Sequence, residues 1–132
     1  MTRKVIVLIV IAVLALAGVF AGKFFADVAK YKKTISSIEI RTPDLTRIQD
    51  GVYNGTYDAL IISADLDVYV KDGKIVEIVI NEHNNGRGAA AEAVLTDVIA
   101  RQSLDVDTVS GATNSSKVLL KAVENALISE AM

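Results

Sequence analysis

Apolar residues follow three different rhythms along the chain, and each predicts a different element. Residues 5–22 are an unbroken apolar and small-residue run, closed by Lys23 and briefly resumed by Phe24, Phe25 and Ala26. Eighteen such residues are near the lower limit for a helix that crosses a bilayer. From Ile62 the pattern changes to strict alternation. Ile62, Ala64, Leu66, Val68 and Val70 fall on one side, and Ser63, Asp65, Asp67, Tyr69 and Lys71 on the other. That period of two predicts a half-buried antiparallel strand. Asp72-Gly73 then signals a two-residue hairpin, and 74–81 returns with Val76, Ile78 and Ile80 assigned to the buried face. Upstream, 51–57 reads as a strand of aromatic and β-branched residues interleaved with small ones. Helical spacing appears twice: at 89–102, with Ala91, Val94, Leu95, Val98 and Ile99 on one face, and at 115–129, with Val118, Leu119, Ala122, Val123, Ala126 and Leu127.

Between these lie three polar or irregular stretches. Residues 34–50 read as a juxtamembrane connector with a turn at Thr42-Pro43-Asp44, and Ile38 and Ile40 allow a short strand. Residues 81–88 read as a glycine-rich polar loop. Residues 106–109 read as a short strand or extended approach. The order β-β-β-α-β-α predicts an α+β fold: a small, mostly antiparallel sheet with helices packed on one face, preceded by a single N-terminal transmembrane helix. The segments are a 1–33 membrane anchor, the 34–50 connector and a 51–132 folded domain.

Charge divides the chain at the same place. Residues 1–33 carry six Lys/Arg against Asp27, a net +5, and 34–132 carry eight basic against fifteen acidic residues, a net −7. The acidic domain lacks the basic footprint of a nucleic-acid binder. The basic flanks of the apolar run suit anionic lipid headgroups. A cleavable signal peptide is the competing reading, since Ala15-Leu16-Ala17 offers a small-residue cleavage pattern, but the length of the run favours a retained anchor. Two basic residues precede the run and four follow it closely, so charge counting leaves orientation open. The absence of cysteine excludes disulfides, thiolate metal sites and iron–sulfur clusters. A single histidine speaks against a histidine-based metal site, and Asp65 and Asp67 read as solvating charges on an exposed strand face.

The candidate chemistry lies at Asp107-Thr108-Val109-Ser110-Gly111-Ala112-Thr113, followed by Asn114-Ser115-Ser116. This is a small-residue turn leading into a helix, where backbone N–H groups can face an anion. Ser110, Thr113, Ser115 and Ser116 offer hydroxyls to a phosphate. On composition alone, ordinary helix capping by Thr113, Asn114 or Ser115 accounts for the same residues.

The pattern Asp107-x-x-Ser110-Gly111-Ala112-Thr113 resembles the flavinylation motif of the FMN-binding domain family. That family includes covalently flavinylated subunits of the Rnf and Na+-translocating NADH:quinone reductase complexes. Gly51-Val52-Tyr53-x-Gly55, the Asp72-Gly73-Lys74-Ile75 hairpin and the His83…Gly86 loop extend the resemblance over most of the chain after the apolar run. It implies covalent FMN, joined through a phosphoester to Thr113. Asp107, Ser110, Gly111 and Ala112 would shape the turn read by a separate Mg-dependent flavin transferase, which takes the FMN moiety from FAD and releases AMP. It also implies a domain on the extracytoplasmic side of the cytoplasmic membrane.

The His83 loop matches the family's larger members only in the His and a Gly. It is either a lining for the isoalloxazine ring, with Arg87 stabilising reduced flavin, or a solvated loop. Tyr53 and Tyr57 are read as core aromatics, with ring stacking as the alternative. The implied function is a membrane-anchored electron-transfer flavoprotein, more a carrier than a self-sufficient enzyme. Its partners would be the transferase and redox proteins or a membrane redox complex. The alternatives are a tethered non-redox module for a phosphorylated ligand or partner protein, and a flavin-dependent reductase of a small acceptor.

Overall fold

The computed structural model describes residues 2–84 and 89–131. It falls into two compact units, Met1–Lys33 and Thr34–Met132.

The first unit is almost entirely helix. Helix α1 spans Thr2–Ser36, and its last three residues belong to the second unit. Its apolar side chains are exposed along the whole run, from Val5 to Phe25. A helix this apolar with nothing to bury it against is long enough to span a membrane, and an N-terminal signal sequence meets the same description.

The second unit is α+β. Strands β1 (Gly51–Asp58), β2 (Ser63–Lys71) and β3 (Lys74–Asn84) form an antiparallel sheet in the order β1-β2-β3. Helices α2 (Ala93–Arg101) and α3 (Thr113–Ala131) complete it. Ala64, Leu66, Val68 and Val70 of β2 are all buried, as the alternation predicts. At the hairpin Asp72 and Gly73 both have positive φ, 53° and 73°. That is the signature of a type I′ turn, whose twist matches that of the strands it joins.

Strand β3 departs from simple alternation. Tyr69 pairs with Glu77 but Val70 pairs with Ile75, so Val76 is an extra, bulged residue. Val76 is therefore exposed and Ile75 takes the buried place assigned to it. A second shift leaves Asn81 bulged, between the Leu66–Ile80 and Asp65–Glu82 pairs. The strand also runs on to Asn84, so 81–84 are ladder rather than loop.

Close approach fixes α3 against β1. A Cβ on Gly55 would overlap the carbonyl oxygen of Ala122 and come within 2.7 Å of Ala126 Cβ and N. Only glycine lets the helix backbone sit this near the strand. Asn125 Nδ2 donates to Thr56 O at 2.9 Å beside this contact.

The 34–50 segment packs within the second unit. Ile35, Leu45 and Ile48 are buried. Instead of forming a strand at Ile38 and Ile40, the segment runs along α3. Arg41 N–H donates to Glu124 Oε2 at 3.1 Å, and Lys121 Nζ donates to Glu39 O at 2.9 Å. Glu124, only 5% exposed, also meets Lys121 Nζ at 3.2 Å. A short 3-10 turn, Leu45–Arg47, is capped by Asp44, whose Oδ1 accepts from Thr46 N–H and Oγ1–H.

Residues 89–102 do not form one helix. Ala89–Glu92 is a 3-10 turn, and α2 follows it and ends at Gln102, whose backbone is left-handed at φ 51°. The Gln102 side-chain amide accepts from Ile75 N–H at 2.7 Å and donates to Ile75 O at 2.8 Å. It thus takes the place of a strand partner at the outer edge of β3, next to the first bulge. Residues 106–109 form no strand, because the Val109 backbone is used in the turn described next.

Candidate functional site

The turn before α3 is built from its own backbone. Ala112 N–H donates to Val109 O at 2.9 Å, closing a four-residue turn. Gly111 is its third residue with φ +78°, which is the type II arrangement and the reason glycine stands there. The first helical bond follows, from Ser116 N–H to Ala112 O at 2.9 Å.

Ser116 ties the turn to the helix. Its Oγ–H donates to Ala112 O at 2.8 Å, and its Oγ accepts from Val109 N–H at 3.1 Å. The side chain is wholly buried. A hydroxyl has one proton, and here Ser116 donates it in a hydrogen bond to Ala112 O. Ser116 therefore serves the turn and is not placed to donate to a phosphate. Ser115 is 2% exposed.

Asp107, Ser110, Gly111 and Thr113 are exposed, and Ala112 is buried beneath them. Helix α3 begins at Thr113, so the residue before it is Ala112. Alanine brings no side-chain oxygen to the helix start and is among the poorest caps. The first-turn N–H groups of any helix have no intrahelical acceptor. Among the described residues nothing lies within 4 Å of a Cβ placed on Gly111, so the turn surface is open at that position. Small residues, open space and a helix start together fit a phosphate group.

His83 sits on a different element. The Asn81 bulge shifts the phase of β3, so that His83 pairs with Ala64 on the helix-facing side. Unbroken alternation would have put Glu82 there. The His83 side chain is 2% exposed, and its Nδ1 lies 3.0 Å from Glu92 Oε1. Glu92 belongs to the 3-10 turn that packs against α3. No sequence signal pairs these two, because their meeting depends on the bulge. Gly86 and Arg87 lie outside the described residues.

Tyr53 and Tyr57 are half-buried on the helix-facing side of β1, and Tyr53 Oη donates to Gln49 O at 2.6 Å. Thr56, Tyr57, Asp58, Ser63, Asp65 and Glu82 line a cavity of about 170 Å³. Asn54 Nδ2 donates to Asp65 Oδ1 at 2.7 Å and to Asp67 Oδ1 at 2.9 Å. Asn81 Nδ2 adds a bond to Asp65 Oδ1 at 3.1 Å. These donors, Asn54 first, hold the Asp65 carboxyl below its ordinary pKa. No group of three or more metal-ligating side chains is placed to hold an ion among the described residues.

The second unit is thus a small α+β domain with an exposed, hydroxyl-bearing turn at the start of its last helix. Comparison with known proteins makes that description specific. The model of the FMN-binding domain family matches residues 62–128. That stretch is half of the chain, and the chain belongs to the family. It is accordingly a flavin-binding protein, and FMN is the flavin this family binds. An uncharacterized protein of Treponema pallidum (strain Nichols) is 31% identical over 83 residues, which cover 61% of this chain. The chain spans 23% of that relative's length.

Proposed function

We propose that this protein is a membrane-anchored electron carrier with FMN held covalently on Thr113. One observation carries the reading. Thr113 is exposed at the start of α3, behind an alanine whose side chain cannot cap the helix, and the turn before it is open at Gly111. A helix whose start was shaped for stability alone would place Ser, Thr, Asp or Asn where Ala112 stands.

A threonine hydroxyl is a weak nucleophile at its own pKa, so a separate flavin transferase supplies the activation. Thr113 Oγ1 attacks the flavin-side phosphorus of FAD. The Oγ1–P bond forms, the P–O bond to AMP breaks, and the hydroxyl proton passes to a base of the transferase. The FMN group, once bound, supplies reversible one- and two-electron redox chemistry. Ser110 and the first-turn N–H groups would hold the phosphate, and Asp107, which is exposed, would be met by the transferase. Gly86, which matches the family's loop, and Arg87, which does not, would line the isoalloxazine ring, and His83 holds the end of β3 through Glu92. The domain faces the extracytoplasmic side, where a loose flavin would be lost. Its redox partners are other proteins or a membrane redox complex.

The test uses the full chain, co-expressed with a flavin transferase and purified in detergent. Flavin fluorescence should survive denaturing electrophoresis, and the intact mass should rise by one FMN less one water. Thr113→Ala should abolish both signals, and Thr108→Ala should leave them. Retention of denaturant-resistant flavin by Thr113→Ala would overturn the acceptor assignment. Flavin that cannot be reduced and reoxidised would overturn the carrier role.

A further inference from the structure

We propose that Ser116 is a positioning residue for flavinylation: its buried hydroxyl locks the 109–112 turn onto α3 and so presents Thr113 to the transferase. This rests on the reading of Thr113 as acceptor. The lock consists of two bonds through one atom. Oγ–H binds Ala112 O at 2.8 Å, and Oγ receives Val109 N–H at 3.1 Å. Ala112 O thereby accepts from both the side chain and the N–H of Ser116. The turn is also tied internally, from Ala112 N–H to Val109 O.

This arrangement solves a definite problem. The turn holds Gly111 at φ +78°, and no described atom lies within 4 Å of where its Cβ would stand. Glycine is the residue with the most conformational freedom. A turn around such a glycine, at a helix start preceded by an alanine, opens easily. The same openness admits a phosphate and an enzyme, so it cannot be closed from outside. Ser116 closes it from beneath. Bonding of a serine hydroxyl to the carbonyl four residues back is common in helices. Here the same oxygen also captures an N–H from outside the helix, and that second bond fixes the approach of the chain to Thr113. Because transfer to phosphorus demands a defined attack geometry, loosening the acceptor costs rate even where the acceptor itself is intact.

Three variants of the full chain test this with purified transferase and FAD. Ser116→Ala removes both bonds. Ser116→Cys keeps the buried volume with a weak donor and acceptor. Ser116→Thr keeps the hydroxyl. The readouts are the rate of flavin incorporation at saturating protein and hydrogen exchange at the Val109 amide before flavin is attached. Alanine and cysteine should slow incorporation by about tenfold or more and speed exchange at Val109, leaving Leu66 and Val68 unchanged. Threonine should restore both readouts to within about twofold of wild type.

Wild-type incorporation by Ser116→Cys, with Val109 exchanging fast, would overturn the proposal while leaving Thr113 as acceptor. A Val109 amide still protected in Ser116→Cys would overturn it too. If Thr113→Ala takes up flavin as fast as wild type, the acceptor reading itself fails and the proposal falls with it. If Ser116→Ala does not fold, as read by loss of protection at Leu66 and Val68, the cysteine variant decides.

Discussion

Replacing Gly55 by alanine should cost more stability than almost any other single methyl group added to this domain. The added Cβ would overlap Ala122 O and reach within 2.7 Å of both the nitrogen and the Cβ of Ala126. Two of these three atoms are helix backbone, which cannot rotate away as a flexible side chain would. Overpacking typically costs about 1–3 kcal/mol, and a contact against backbone belongs at the upper end, at about 3 kcal/mol. In a domain of roughly 100 residues each kcal/mol moves Tm by about 4–8 °C. A fall of roughly 12–24 °C is therefore expected. The full chain in detergent can be followed by the near-ultraviolet circular dichroism of Tyr53, Tyr57 and Tyr69, which all lie on the sheet. A second variant sharpens the test. Ala126→Gly removes one overlapping atom but leaves the Ala122 carbonyl in place and adds a helix glycine worth about 1 kcal/mol. The double variant should thus be no more stable than Gly55→Ala alone. A Tm within about 2 °C of wild type for Gly55→Ala, or full rescue by Ala126→Gly, would refute the close-approach argument.

Gln102→Leu should destabilise by about 1–3 kcal/mol, because it leaves Ile75 N–H and C=O without the amide that now pairs with them. Urea unfolding of the full chain in detergent would measure it, with Gln102→Glu falling short of wild type because a carboxylate cannot donate to Ile75 O. Stability should also depend on pH through Asp65. Its folded pKa is depressed, first by Asn54 and then by Asn81. Its contribution is therefore present above the ordinary carboxylate value of 3.8 and is lost as pH falls through the depressed folded value. Asn54→Ala should lower Tm at neutral pH, and the gap to wild type should narrow below about pH 4. A gap that stays constant down to the acid limit would contradict the assignment.

Strand β2 could be read from the sequence because its apolar residues occupy one phase only. Strand β3 could not be read in the same way. Ile75 and Val76 are adjacent, and Ile78, Val79 and Ile80 run together, so both phases are apolar and alternation cannot choose between them. Pairing with β2 makes the choice, through bulges at Val76 and Asn81. The same shift decides which of Glu82 and His83 turns inward. Residues 34–50 carry Ile35, Leu45 and Ile48 at irregular spacing, and their burial depends on α3, far along the chain. At the site, Gly111 and its small neighbours marked the turn, since a positive φ and a helix start both leave local traces. The role of Ser116 left none, because a serine that binds a ligand and one that binds the backbone look alike until the backbone is placed.

Gln102 has a consequence beyond the stability of one molecule. The outer edge of a sheet offers N–H and C=O groups that a strand from a neighbouring molecule can adopt, and open edges are where sheets begin to aggregate. At Ile75 that seat is already taken by a side chain of the same chain. A glutamine amide copies the donor and acceptor of a peptide group but ends after one unit, so the ladder stops where it would otherwise be extended. Gln102→Leu should thus also lower the concentration at which the protein begins to self-associate.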